Sequence, residues 1–426
     1  MRSLPEGSRQ GPWWKRLSAG FVTGAADDDP SGVATYSQVG AKFGYAMLWV
    51  VFLTIPLMIA IQMVSARIGR VCGRGLADTL MRNFPAPAVW SLLALLVIAN
   101  IINIGADLAA MGAALQLLVG GPHLVYALGF AVVSTVLQVY LSFEKYSPVL
   151  KALALSLFTY AGTVFAVHVH WGEALHATVL PALQWNTSYL TGIVAVLGTT
   201  ISPYLFCWQA AQEVEELRAS DEREPLRHAD EQAPGALRRI AFDTIVGMVF
   251  SNVIAFFIIL AAAATLHMHG KTDVQSASEA AEALKPIAGR FAFGLFATGI
   301  ISTGLLAVPV VAGATAFAVA GGAHKPYGLD RKPKQARLFY GVLVGSMALG
   351  AALTFSPIDP IKALYWSAVV NGVCAVPLMA AIMIVARRAH AMGNHVVRGW
   401  LFALGWIATA VMGIAAVVMF ATLGKG

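Results

Sequence analysis

The sequence predicts an all-α integral membrane protein of about eleven transmembrane helices, arranged as two five-helix halves whose first helices are each interrupted. Three observations predict it. Of 426 residues, 58% are apolar and 12% charged, and mean hydropathy is +0.70, whereas soluble domains carry roughly a quarter charged residues. Eleven apolar segments approach or exceed the about 20 residues that a bilayer core requires of a helix. The first and sixth of them carry helix breakers beside polar groups at bilayer depth. A water-soluble enzyme is thereby excluded. So is a disulfide scaffold, because Cys72, Cys207 and Cys374 lie far apart in or beside apolar runs.

The spans expected are 20–42, 45–66, 88–118, 123–142, 148–168, 188–216, 240–267, 291–320, 337–356, 361–386 and 399–421. Before them, charges up to Arg16 and the lack of a small-residue cleavage pattern argue against a removable signal peptide. With the N-terminus inside, one face of the membrane receives 23 Lys and Arg residues and the other 6. The positive-inside rule then sets N-terminus in and C-terminus out, and it accounts for the net charge of +7 without a nucleic-acid partner. Dispersed basic loops suit a bacterial inner membrane. The chain reads as one membrane domain over 1–426, with repeats at 18–168 and 188–388 and an extra helix at 399–421. The polar stretch 217–239 is expected to be a solvated loop with a short amphipathic helix.

In span one, GAADDDPSGVATYSQVG places Asp27, Asp28 and Asp29 before Pro30, Ser31 and Gly32. Three acids beside a residue that cannot donate and one that weakens helices predict an unwound segment with free carbonyls. Such carbonyls beside a carboxylate make a hard-cation site. The competing arrangement is a surface N-cap on a shorter helix, but neither apolar flank alone spans ~30 Å.

Span three holds Asp107, with Asn100 and Asn103 one and two turns earlier on a similar face. An intramembrane acid of this kind is either a proton carrier or a hydrogen-bonded structural group. Span six breaks at Gly198, Thr199, Thr200, Ser202 and Pro203, with Tyr204, Gln209, Gln212 and Glu213 beyond. Its position, first in the second half, matches that of the broken span one, and paired interruptions of this sort point to an inverted-repeat transporter with its site at the midplane. Asn252 in span seven and Asn371 in span ten either line the pathway or hold helices together. No histidine pair has metal-ligand spacing within one helix, and no phosphate-cradling motif is present, so no bound cofactor or ATP coupling is expected.

These residues resemble the Nramp family of divalent metal transporters from the first span through the tenth. Asp29-Pro30-Ser31-Gly32 stands where the family has Asp-Pro-Gly-Asn, and Ser202-Pro203-Tyr204 where it has Met-Pro-His. ADLA at 106–109 is similar to its third-span TDLAE, and 243–270 to its seventh span and the loop after it. The resemblance implies a LeuT-type fold of eleven helices that imports Mn²⁺, Fe²⁺ or similar ions with protons. It makes Asp29 the metal carboxylate, the carbonyls of Ala26 and Thr199 main-chain ligands, and Asp107 an acid of the proton route.

Departures shift the expectation. Gly32 removes an amide oxygen and Ser202 a thioether, so the set at Asp29, Gly32, Ser202 and Tyr204 favours harder ions. Tyr204 and Ala110 stand at the family's His and Glu, leaving Asp27 and Asp28 to carry protons or coupling absent. This pattern resembles the divergent Nramp-related branch, some of whose members move hydrated Mg²⁺. The expected function is secondary transport of divalent cations (Mn²⁺/Fe²⁺-like or Mg²⁺) by alternating access around Asp29, with Gln209 and Glu213 near the path. The expected partners are the lipid bilayer, the metal ion as substrate and, in some coupling schemes, protons. An amino acid or other organic solute is the alternative cargo, disfavoured because three aspartates repel a carboxylate. A membrane metalloenzyme would need three converging ligands that no motif here supplies, and a channel would show a symmetric filter.

Overall fold

The computed structural model describes residues 23–422 except 25, 141–154, 221 and 275, and no β-strand occurs among them. The first span is in two pieces: α1, helical at 23–24 and 26–27, and α2, Pro30–Phe43. Asp28 bends and Asp29 is extended at φ −73°, ψ 171°. Pro30 then occupies the first helical position, where its missing N–H costs nothing.

α3 follows as Leu48–Cys72 and stops at Gly73, whose φ of +64° closes a left-handed cap back to Gly69. α4 is Ala86–Val119 and α5 His123–Tyr140. Most of the expected fifth span lies outside the described residues, which show Thr159–Ala166 as α6. The sixth span is again broken: α7, Thr187–Thr200, is capped by the Asn186 side chain on Tyr189 N at 2.8 Å, and α8, Pro203–Arg218, starts on a proline. Only Ile201 and Ser202 separate them.

The remaining helices are α9, Ala233–Thr265; α10, Ala292–Gly322; α11, Arg337–Leu353; α12, Pro360–Arg387; and α13, Trp400–Thr422. α9 begins seven residues before the expected start at 240, because Pro234 initiates the helix inside the polar stretch. The amphipathic helix expected in 217–239 is replaced by that extension and a 3₁₀ turn at Asp230–Gln232. Eight helical stretches among the described residues are long and apolar enough to cross a membrane, with α2 and α3 joined in one, while α11 is a shorter apolar helix of 17 residues.

α9 packs on α2 and α3, and α8 on α3 and α10, while α4, α5, α10 and α11 pack on one another and α12 touches α2, α4 and α7. Small residues set the closest seams. A Cβ on Gly24 would strike the Gly247 backbone, so α1 and α9 meet main chain to main chain, and Gly198 likewise abuts Ala368 and Gly372 of α12. Large apolar side chains such as Phe52, Val132, Ile414 and Val417 stay exposed on the outer surface, as expected where lipid is the solvent.

Candidate functional site

The two breaks face each other. Ser31 Oγ, just after the first, lies 3.4 Å from Thr199 Oγ1, just before the second. Asp29 sits between them, 1% exposed. Its Oδ1 accepts from Ser31 Oγ at 2.6 Å and from Gly32 N at 2.7 Å, so the aspartate caps α2 while remaining buried inside the protein. The cap and the unwound segment, alternatives on sequence grounds, are the same feature. Tyr204 brings its hydroxyl to 3.4 Å from both Asp29 Oδ2 and the Ala26 carbonyl.

Ser202 is close by but otherwise engaged. Its hydroxyl is 2.9 Å from the carbonyls of Gly198 and Thr199, closing the frayed end of α7. Gly32 meets Asp29 through its backbone N–H alone. The Thr199 carbonyl therefore has a local hydroxyl partner, whereas that of Ala26 has the longer contact to Tyr204.

Asn103 of α4 is the hub. Its Nδ2 is 3.2 Å from Asp29 Oδ2 and 3.2 Å from Asp107 Oδ2, while its Oδ1 accepts from Ser367 Oγ at 3.1 Å and Asn371 Nδ2 at 3.3 Å. Carboxylates only accept, which fixes the amide's orientation. Asp107 Oδ1 and Asn371 Oδ1 are left without hydrogen-bond partners in fully buried side chains. Unpaired buried acceptors of this kind attract a proton or a cation. Among the described residues no group of three His, Cys, Asp or Glu side chains converges. A cation at Asp29 would therefore meet one carboxylate together with hydroxyl, phenol and carbonyl oxygens, a hard donor set.

Cavities lie at both ends, one of about 430 Å³ beside the end of α8 among Arg70, Glu222, Arg223 and Arg239. A cavity of about 390 Å³ opens at the α2–α7 end, lined by Gln38, Lys42, Ser188, Asp273 and Lys362 among others. Gln38 holds the loop after α9 there, through Asp273 at 2.9 Å and Val274 N at 2.8 Å. At the α8 end, Arg218 donates to the Tyr327 carbonyl at 2.8 Å and Glu215 accepts from Leu329 N at 2.5 Å. Those contacts close α8 against the loop between α10 and α11.

A sequence profile described as natural resistance-associated macrophage protein-like matches residues 20–422. This chain belongs to the Nramp family. It is similar to the divalent metal cation transporter MntH of Klebsiella pneumoniae, at 25% identity over 93% of this chain and 91% of the relative. With the MntH of Chromohalobacter salexigens it shares 26% identity over 66% of this chain, spanning 64% of that relative. In three dimensions it is similar to the Eremococcus coleocola manganese transporter, with a TM-score of 0.74, 17% identity, and 97% and 88% of the two chains covered. MhsT in complex with L-phenylalanine follows at a TM-score of 0.59, 14% identity, and 95% and 98% coverage. The LeuT-type fold expected from the sequence is borne out, and the chain is of a transporter family, not an enzyme family.

Within this Nramp chain several expected site residues lie elsewhere. Asn252 accepts from Thr54 at 2.8 Å and donates to the Met248 carbonyl at 2.8 Å, holding α3 to α9. Gln209 hydrogen-bonds Thr23, joining α1 to α8. Glu213 is buried but bound to Arg239 at 2.6 Å near the α8 end. Asp27 and Asp28 point to Ser251 of α9, away from the Asp29 partners. Ser367 and Ser251 were not singled out in the sequence; a lone serine in an apolar helix usually bonds its own backbone, and nothing local distinguishes these two.

Proposed function

We propose that this Nramp chain is a secondary transporter of divalent metal cations that works by alternating access around Asp29. The observation that carries the reading is the pair of facing helix breaks closing on one buried carboxylate. Support also comes from the relatives, whose names describe divalent metal cation and manganese transporters. In this reading Asp29, the Ala26 and Thr199 carbonyls and the Tyr204 phenol surround the ion, with Ser202 setting the end of α7 and Gly32 meeting Asp29 through its backbone N–H. Asp107, tied to Asp29 through Asn103, carries a coupled proton. The oxygen-only set suits Mg²⁺ as well as Mn²⁺, since Mg²⁺ keeps several waters.

The proposed repeats are 18–168 and 188–388, with 399–421 added, and spans one, two, six and seven rock against the remainder. The 23-to-6 division of Lys and Arg favours a cytoplasmic N-terminus in a plasma membrane. Four buried aspartates at 27, 28, 29 and 107 disfavour an organic anion as cargo. The test is uptake into proteoliposomes, Mn²⁺ against Mg²⁺, with and without a pH gradient. Saturable uptake lost in Asp29→Ala is expected, with proton entry marking the coupling; flux of both ions unchanged in Asp29→Ala would overturn the assignment.

A further inference from the structure

Asp27 and Asp28 take no part in holding the ion at Asp29, yet both are buried, 0% and 2% exposed. The main-chain contact of Gly24 with Gly247 sets α1 and α9 side by side, and about one turn further along each helix Ser251 meets the two acids. Its hydroxyl lies 2.7 Å from Asp27 Oδ2 and 3.1 Å from Asp28 Oδ1. One hydroxyl hydrogen can satisfy only one of those oxygens. The second oxygens, Asp27 Oδ1 and Asp28 Oδ2, have no hydrogen-bond partner.

The ring of Tyr36 stands beside the same turn: a Cβ on Gly32 would lie 3.3 Å from Tyr36 Cε2 and 3.5 Å from the Asp27 carbonyl. The Tyr36 hydroxyl of α2 is fully buried without a hydrogen-bond partner. Among the described residues no Lys or Arg pairs with any of these acids. Buried like charges without a counter-ion are unfavourable, and an ion held at Asp29 shares no hydrogen-bond partner with Asp27 or Asp28.

We propose that Asp27, Asp28, Ser251 and Tyr36 form a second cation site, filled by a hard, oxygen-seeking ion while Asp29 holds the transported one. Carboxylate, hydroxyl and phenol oxygens with no nitrogen or sulfur match that class of ion. The two sites share no hydrogen-bond partner: Asp29 is served from α2, α4 and α8, the second pair from α9. An ion there ties α1 to α9. The inference rests on the transport reading only for the identity of the ion at Asp29.

Equilibrium dialysis of the full-length purified protein against Mn²⁺, with ²²Na⁺ in a parallel arm, tests it. Two Mn²⁺ per chain falling to one in Asp27→Asn/Asp28→Asn, or one Mn²⁺ plus one Na⁺ with the Na⁺ lost in that variant, supports the site and says which ion fills it. Ser251→Ala, which leaves both acids in place, is expected to weaken the second ion at least several-fold and guards against misfolding of the double variant. A single Mn²⁺, no Na⁺, and binding unchanged in both variants would overturn it. Asp29→Ala separates the two readings: it is expected to remove one ion and leave the other.

Discussion

The Asp29 carboxylate has all its acceptor capacity directed by four neighbours from three helices, so single-atom changes around it have separable outcomes. Tyr204→Phe removes a long hydrogen bond, whose loss costs about 1 kcal/mol; uptake kinetics are expected to show KM raised about fivefold with maximal rate retained. Asn103→Ala removes the tie to Asp107 and to α12 together. Proton entry per ion, measured with a lumenal pH dye, is expected to fall more than ion uptake does; equal losses would place Asn103 in ion binding alone. Some of this was readable in advance. Acids beside Pro30 at bilayer depth announced the first break, and Asp107 announced itself by being charged. Asn252 and Asn371, by contrast, are alike in sequence: each is one amide in an apolar helix. Helix rotation sends one to the α3–α9 seam and the other to Asn103, and rotation is decided by tertiary packing that no local pattern records.

At the scale of elements, the breaks were placed to within a residue or two because proline and extended backbone leave few options, whereas the start of α9 was misjudged because Pro234 begins a helix within a polar loop. Seams between helices depend on residues lacking side chains. Gly198→Val would push into the α12 backbone, and overpacking of this kind costs typically 1–3 kcal/mol; thermal unfolding in detergent is expected to shift several degrees lower, with Gly129→Ala, which meets nothing within 4 Å, as the unchanged control. The loop after α9 carries a different device. Lys271 and Lys285 hold the Glu282 carboxyl below its ordinary value. A group depressed on folding stabilises fully above its unfolded pKa, about 4.3, and loses that contribution as pH falls through the lower folded value. Amide exchange over Ala277–Glu282 is therefore expected to quicken below about pH 4, and Glu282→Gln to remove the dependence.

For the whole molecule, the contacts of Arg218 and Glu215 tie the end of α8 to the loop between α10 and α11. Arg218→Ala frees α8 from the Tyr327 carbonyl, and spin-label distances between α8 and α11 are expected to lengthen; an unaltered distribution would show that the loop contact does not hold α8 in place. The shortness of α11 has a consequence of another kind. Its 17 residues rise only about 26 Å, against a hydrocarbon core of about 30 Å, and it lies in the α4–α5–α10–α11 group, which the proposed cycle keeps still. Lipid beside α11 has to thin to meet it, at a cost of fractions of a kcal/mol per Å. Acyl-chain length thus becomes a variable of the transport rate: the static wall of the carrier fits a thin bilayer better than a thick one, and the membrane itself bears part of the mismatch at every turn of the cycle.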